Sequence, residues 1–105
     1  MREKRIAHLR EALAQDPNDS FSRYALALEF AGMGDLHEAL QLLEDLLTRD
    51  PSYLPAYQQL GSLYTQAQRT PEAVVILKRG IELAQQQQDL LTQSELQEAL
   101  DDLEN

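Results

Sequence analysis

Apolar residues recur along the chain at the three- and four-residue spacing that is typical of amphipathic helices. In the first segment, over about residues 2–15, Ile6, Leu9 and Leu13 fall on one stripe. The same pattern predicts helices over residues 20–32 and 35–49, from residue 55 to about 67, and from residue 70 onwards. Polar residues separate these segments, which indicates an all-α domain.

The end of the fifth helix is marked by a change of phase. Ala73, Leu77 and Ile81 would continue into apolar positions near residues 88, 91 and 95. The observed apolar residues are instead Leu96, Ala99, Leu100 and Leu103. A single long helix would keep its stripe in phase, so we expect a break near Asp89, which can cap a sixth helix over about residues 90–104.

Turn residues mark the other helix ends. Gly32 and Gly34 bracket Met33 at the end of the second helix, and a glycine just past a helix end can adopt the left-handed conformation that closes it. Asp35 with Glu38 three residues later resembles a capping box. Thr70 followed by Pro71 predicts a cap and a first helical proline for the fifth helix.

Two features of the chain repeat with a fixed period. Pro17 and Pro51 lie 34 residues apart, and so do Ala39 and Ala73. A period of about 34 residues is typical of helix–turn–helix repeats, which stack their hairpins to bury a shared core. Since such arrays present surfaces, the period favours a binding function.

The second period resembles the tetratricopeptide repeat family. The residues that match the family pattern are Tyr57, Leu60, Gly61, Tyr64, Ala73, Leu77 and Gly80. The first period matches more loosely, with Arg23 at an aromatic position and Leu46 at a small-residue position. Gln85 replaces the proline that would close the second repeat.

The resemblance implies a tetratricopeptide-repeat-like α-α superhelix of about six antiparallel helices in one domain. Its implied parts are a half repeat, two full repeats and an acidic helix whose leucines cover the last repeat and whose charged side faces water. They span residues 1–16, 20–53, 54–87 and 89–105.

In this family the first helices of the repeats line a concave groove that binds partners. The residues that the resemblance places there are Phe21, Tyr24, Leu28, Ala31, Pro55, Gln58, Ser62 and Thr65. An apolar and aromatic half beside an amide and hydroxyl half would suit a peptide or helix with apolar anchors. The alternative is that Phe21, Tyr24 and Leu28 pack against the first helix.

A subclass of the family grips acidic peptide tails with Lys, Arg and Asn side chains. The corresponding positions here carry Tyr24, Leu28, Gln58 and Gln59. The resemblance therefore implies that an acidic chaperone tail is not the partner, and the negative net charge agrees.

Charge and composition narrow the class of partner. The 105 residues carry 18 acidic and 9 basic side chains, for a net charge of −9, which argues against nucleic acid. No apolar run has the length of a membrane span, and no signal-like segment follows the charged N-terminus, so we expect a cytoplasmic protein. Because cysteine is absent, we expect no disulfides.

The acidic residues are concentrated in the last helix, because no Lys or Arg follows Arg79. Three interpretations stay open. The acidic side chains can form a solvated face, can contact a basic partner, or can reflect a high-salt environment.

Candidate catalytic groups are scarce. His8 and His37 lie on different helices, and no glycine-rich phosphate loop occurs. Asp101 and Asp102 are adjacent on a helix and therefore point in different directions. These observations predict no catalytic residue, no metal site and no cofactor.

The sequence thus predicts a non-catalytic protein–protein interaction module. Two alternatives remain: a homo-oligomer that associates through the first helix or the missing third-repeat face, and a part of a longer repeat scaffold.

Overall fold

The computed structural model describes residues 1–105, and every regular element is an α-helix. The helices are α1 (Arg2–Gln15), α2 (Ser20–Gly32), α3 (Leu36–Arg49), α4 (Leu54–Gln66), α5 (Thr70–Gln86) and α6 (Leu90–Glu104). The predicted bounds of α1, α2 and α6 are confirmed, as is the break between α5 and α6. Helix α4 begins one residue before Pro55, and α5 begins at Thr70 itself.

Consecutive helices pack as antiparallel pairs within two units of the chain. In the first unit, Met1–Tyr53, α2 contacts both α1 and α3. In the second unit, Leu54–Asn105, α5 contacts both α4 and α6. The all-α architecture of sequential helix pairs that the sequence predicts is therefore confirmed.

Small residues lie where the helices approach most closely. Ala27, Ala39 and Ala73 are fully buried. In the second unit, a β-carbon on Gly61 would lie 2.7 Å from Cδ2 of Leu77. A β-carbon on Gly80 would lie 2.9 Å from Cβ of Tyr57. Since carbon atoms make favourable contact near 3.5–4.0 Å, Gly80→Ala would press on the fixed Cβ of Tyr57, whereas Gly61→Ala would require the Leu77 side chain to shift.

The acidic helix α6 packs its leucines onto α5. Leu96 and Leu100 are buried and Leu103 is half-buried, whereas Ala99 on the predicted stripe is exposed. A β-carbon on Gly80 would also lie 3.0 Å from Cδ1 of Leu96. The helix therefore covers α5 with one leucine face, as predicted from the stripe.

Three helices end in the same backbone motif. Gly34, Gln68 and Gln88 each adopt a positive φ, of 79°, 61° and 58° respectively. After each, the next amide donates to the carbonyl five residues earlier, as when Asp89 N–H donates to Ala84 O at 2.9 Å. The paired bonds of this Schellman motif satisfy carbonyls at the helix end. The left-handed conformation predicted for Gly34 is confirmed, and two glutamines share it.

Aspartates cap three of the helices. The carboxylates of Asp19, Asp35 and Asp89 accept the backbone N–H three residues on. Hydrogen bonds from the Thr92 N–H and hydroxyl lower the pKa of the Asp89 carboxyl. The cap therefore stabilises the fold at pH values above the ordinary pKa of aspartate, and this contribution is lost as the pH falls through the lowered pKa. The caps predicted at Asp35 and Asp89 are confirmed. The prediction of a cap at Thr70 is wrong, because Thr70 is already helical and Arg69 occupies the cap position without a side-chain bond.

The two Asp-Pro turns of the first unit are joined by side-chain hydrogen bonds. The Ser20 hydroxyl donates to Asp50 at 2.7 Å, and the Arg49 guanidinium donates to Asn18 at 3.0 Å. The Ser20 bond is also the largest cause of the lowered pKa of Asp50. The two turns, whose prolines lie 34 residues apart in sequence, therefore meet within this unit.

We expect Gly80→Ala to destabilise the protein. Overpacking costs about 1–3 kcal/mol, and the gain in helix propensity returns only about 1 kcal/mol. The added carbon would meet Cβ of Tyr57, which cannot rotate away. In Gly32→Ala, the matched control, the new carbon meets only the mobile guanidinium of Arg2, at 3.1 Å. Urea unfolding should separate the two variants, and equal stability of Gly80→Ala and wild type would contradict the close contact.

We expect Gln88→Gly and Gln68→Gly each to stabilise the protein by about 0.5–1 kcal/mol. Glycine adopts a left-handed conformation without the roughly 1–2 kcal/mol that a β-carbon costs there, and this exceeds its entropic disadvantage. Gln86→Gly is the control, because Gln86 is the last residue of α5 and should lose up to about 1 kcal/mol of helix propensity. A urea midpoint that falls for Gln88→Gly would refute the assignment of strain to this turn.

Candidate functional site

The second unit contains a groove of about 610 Å³ between α4 and α6. Helix α4 contributes a row of mainly polar residues: Gln58, Gln59, Gly61, Ser62, Thr65 and Gln66. Helix α6 contributes Glu95, Ala99 and Asp102 as the opposite wall, and Leu96 and Leu103 to the floor. Leu77 of α5 lies at the bottom. The groove is therefore bounded by three consecutive helices of one unit.

The floor of the groove is apolar and its position is fixed by buried contacts. Leu77 and Leu96 are buried, and Leu103 is half-buried. Gly61 leaves room for the Leu77 side chain, which would collide with a β-carbon there. The floor is thus part of the core of the unit, while the walls reach solvent.

Four polar side chains of the walls have no partner within the protein. Gln58 and Gln59 on α4 and Glu95 and Asp102 on α6 form no side-chain hydrogen bond and no ion pair. In contrast, the Thr65 hydroxyl donates to its own helix, at 2.8 Å from Gly61 O. The unpartnered amides and carboxylates remain available to a ligand.

The predicted site residues of α4 occupy this wall. Gln58, Ser62 and Thr65 line the groove, with Gln58 half-buried and the other two exposed. Pro55, in the first turn of the helix, is exposed and does not line it. Three of the four predicted α4 residues are therefore brought together in one depression.

The predicted site residues of α2 lie on the first unit. Phe21 is 67% exposed and Leu28 37% exposed, while Ala31 is half-buried. The large exposed fraction of Phe21 argues against its close packing on α1, whereas Leu28 has most of its surface covered. Tyr24 is half-buried, and its ring lies 5.5 Å from that of Tyr53. Burial and the nearby Tyr24 raise the pKa of the Tyr53 hydroxyl.

The α6 wall is the part of the groove that sequence reasoning missed. Glu95, Ala99 and Asp102 follow one another at four and three residues, so they share a helix face. That spacing is visible in the sequence, and a basic partner for the acidic residues of this helix was one of the three interpretations left open, but no groove residue was assigned on α6. Asp101 lines a different depression from Asp102, which confirms that the adjacent carboxylates point in different directions.

Neither a cluster of metal-ligating side chains nor a helix that could cross a membrane is found. No three His, Cys, Asp or Glu side chains converge in a way that could hold an ion. None of the six helices combines the length and apolar content that a bilayer span requires. His8 and His37 are both exposed.

Comparison with solved structures relates the fold to known proteins. A crystal structure of a tetratricopeptide repeat domain protein from Salinibacter ruber superimposes with a TM-score of 0.79 at 39% identity, covering 83% of this chain and 98% of that one. A solution structure of a tetratricopeptide repeat domain protein from the same organism gives a TM-score of 0.80 at 40% identity, covering 85% of this chain and 90% of that one.

A more distant structure shares the fold alone. The TPR2B domain of yeast Sti1, in its complex with pHsp70, gives a TM-score of 0.87 at 14% identity, covering 94% of this chain and 79% of that one. No curated protein sequence matches the chain significantly.

Family profiles locate the similarity in the sequence. Two tetratricopeptide repeat models match, one over residues 1–58 and one over residues 30–93. Together with the helix pairs, the buried small residues and the relatives at about 40% identity, these matches show that the chain belongs to the tetratricopeptide repeat family.

Proposed function

We propose that this protein is a non-catalytic interaction module that binds a peptide or helix of another protein. The observation that carries the proposal is the groove between α4 and α6, which combines an apolar floor with unpartnered polar side chains on both walls. Its volume of about 610 Å³ falls within the range of ligand sites. Repeat domains of this family are typically non-catalytic scaffolds.

A partly exposed stripe of α2 offers a further candidate contact surface, on the first unit. Phe21, Tyr24, Leu28 and Ala31 follow one another at three- and four-residue spacing, so they share one face of the helix. Exposed aromatic side chains are frequent anchors in protein interfaces. The residues proposed for binding are thus this stripe on the first unit and, separately, Pro55, Gln58, Ser62 and Thr65 on α4 of the second unit.

Relatives with the same fold support the general class of function. The yeast Sti1 structures are complexes, one of the TPR2B domain with pHsp70 and one of a TPR2AB segment with pHSP90. Here Gln58 and Gln59 offer neutral amides, so they cannot form ion pairs with an acidic tail. We therefore propose a protein partner of a different charge type from an acidic tail.

Self-association is the second candidate function. Helix α1 buries none of its residues fully, and Leu90 and Leu91 at the start of α6 are 76% and 73% exposed. Exposed leucines of this size can be covered by a second copy. Sedimentation across a wide concentration range distinguishes the two candidate functions, because a protein that stays monomeric at high concentration would exclude self-association.

A photo-crosslinking residue at Ser62 should capture a protein partner in the native cell, whereas the same residue at Ser94 should not. Both serines are exposed, but Ser62 lines the groove and Ser94 lies on the other side of α6. Mass spectrometry would identify the captured protein. Equal capture from both positions would count against the groove.

The captured partner should then bind Ser62→Trp at least about tenfold more weakly than wild type, a loss of about 1.4 kcal/mol, because the indole fills the groove. Ser94→Trp should bind as wild type does. Gln58→Ala should weaken binding about fivefold through a lost hydrogen bond. Calorimetric titration measures each affinity, and unchanged binding to Ser62→Trp would exclude the groove as the site.

A further inference from the structure

The two walls of the groove differ in charge. The α4 wall carries the neutral amides of Gln58 and Gln59, and the α6 wall carries the carboxylates of Glu95 and Asp102. Glu95 and Asp102 are seven residues apart, so they lie about two turns apart along the same side of α6. A ligand in the groove would therefore pass between two rows that accept hydrogen bonds, one of them anionic.

No cation of the second unit neutralises these carboxylates. Residues 54–105 contain eight acidic and three basic side chains. Arg69 pairs with Glu72 at 2.9 Å and lies over the Tyr64 ring. Lys78 and Arg79 line a separate depression beside Glu82. None of the three cations lines the groove, so the only formal charges on its lining are those of Glu95 and Asp102.

The apolar floor adds a second requirement for the ligand. Leu77, Leu96 and Leu103 form a surface between the two rows, and Ala99 leaves space above it. A carboxylate-rich segment would be repelled by α6, and a purely apolar one would leave both carboxylates without a partner.

We propose that the occupant of this groove is a cationic amphipathic peptide segment, in which an apolar side chain is flanked by lysine or arginine. The apolar side chain contacts the leucine floor, the cations pair with Glu95 and Asp102, and the amides of Gln58 and Gln59 bind the peptide backbone. The inference rests on the proposed function, since it names the chemistry of the partner for the same groove.

The test uses the whole chain and three short capped peptides that alternate leucine with lysine, glutamate or glutamine. Binding is followed through the backbone amide resonances of α4 and α6. We expect the lysine peptide to bind most tightly. Its advantage over the glutamine peptide should vanish as the Debye length falls from about 10 Å at 0.1 M salt to about 3 Å at 1 M salt.

Two double variants separate the groove from the general acidity of the protein. Glu95→Gln with Asp102→Asn removes two charges from the groove, and Glu98→Gln with Asp101→Asn removes two from another depression on α6. The first pair should lower the affinity for the lysine peptide about fivefold, because two exposed charge pairs are lost. The second should change its affinity by less than about twofold. Equal losses in both doubles would overturn the inference.

The remaining outcomes distinguish this inference from the proposed function. If the glutamine or glutamate peptide shifts the groove resonances as strongly as the lysine peptide, the charge assignment fails while peptide binding stands. If no peptide shifts them and the Ser62 crosslink also fails, both proposals fall. If the resonances move with protein concentration alone, a second copy occupies the groove and the cationic peptide is excluded.

Discussion

The contact on which the second unit depends is the meeting of three helices at Gly80. Tyr57 of α4 and Leu96 of α6 both approach this residue so closely that a single added carbon would lie within 3.0 Å of each of them. Because α5 contacts both α4 and α6 at this one glycine, the contact fixes the distance between α4 and α6. The width of the groove between α4 and α6 is therefore a consequence of core packing, and it does not depend on the polar residues that line the walls.

Much of the fold could be predicted because its signals are local and periodic. The phase change after Ile81 placed the α5–α6 break correctly, since a stripe in continuous phase would have required one long helix. Asp35 and Asp89 were recognisable as caps from their positions alone. The left-handed conformations of Gln68 and Gln88 were not predictable, because glutamine has no preference for them. The packing of the neighbouring helices, together with the paired hydrogen bonds of the Schellman motif, holds these residues in place.

The candidate site was predictable on one wall only. The family period places Gln58, Ser62 and Thr65 on the inner face of a first helix, and these residues do line the groove. Glu95 and Asp102 belong to a helix that lies outside the two full repeats of the sequence pattern, so the pattern assigned them no role. Whether a carboxylate on an amphipathic helix faces open water or a neighbouring helix depends on tertiary packing, which periodicity does not encode.

The division between floor and walls has a consequence for specificity. Leu77, Leu96 and Gly80 are buried, so their replacement changes the stability of the unit and the width of the groove together. The polar wall residues are half-buried or exposed, and Gln58, Gln59, Glu95 and Asp102 have no internal partner, so these four can change without disturbing the helix contacts. The core contacts of this unit therefore constrain the shape of the groove, whereas they do not constrain the charge of its walls. In this chain Glu95 and Asp102 determine the charge of the groove, and both side chains are exposed and take no part in core packing.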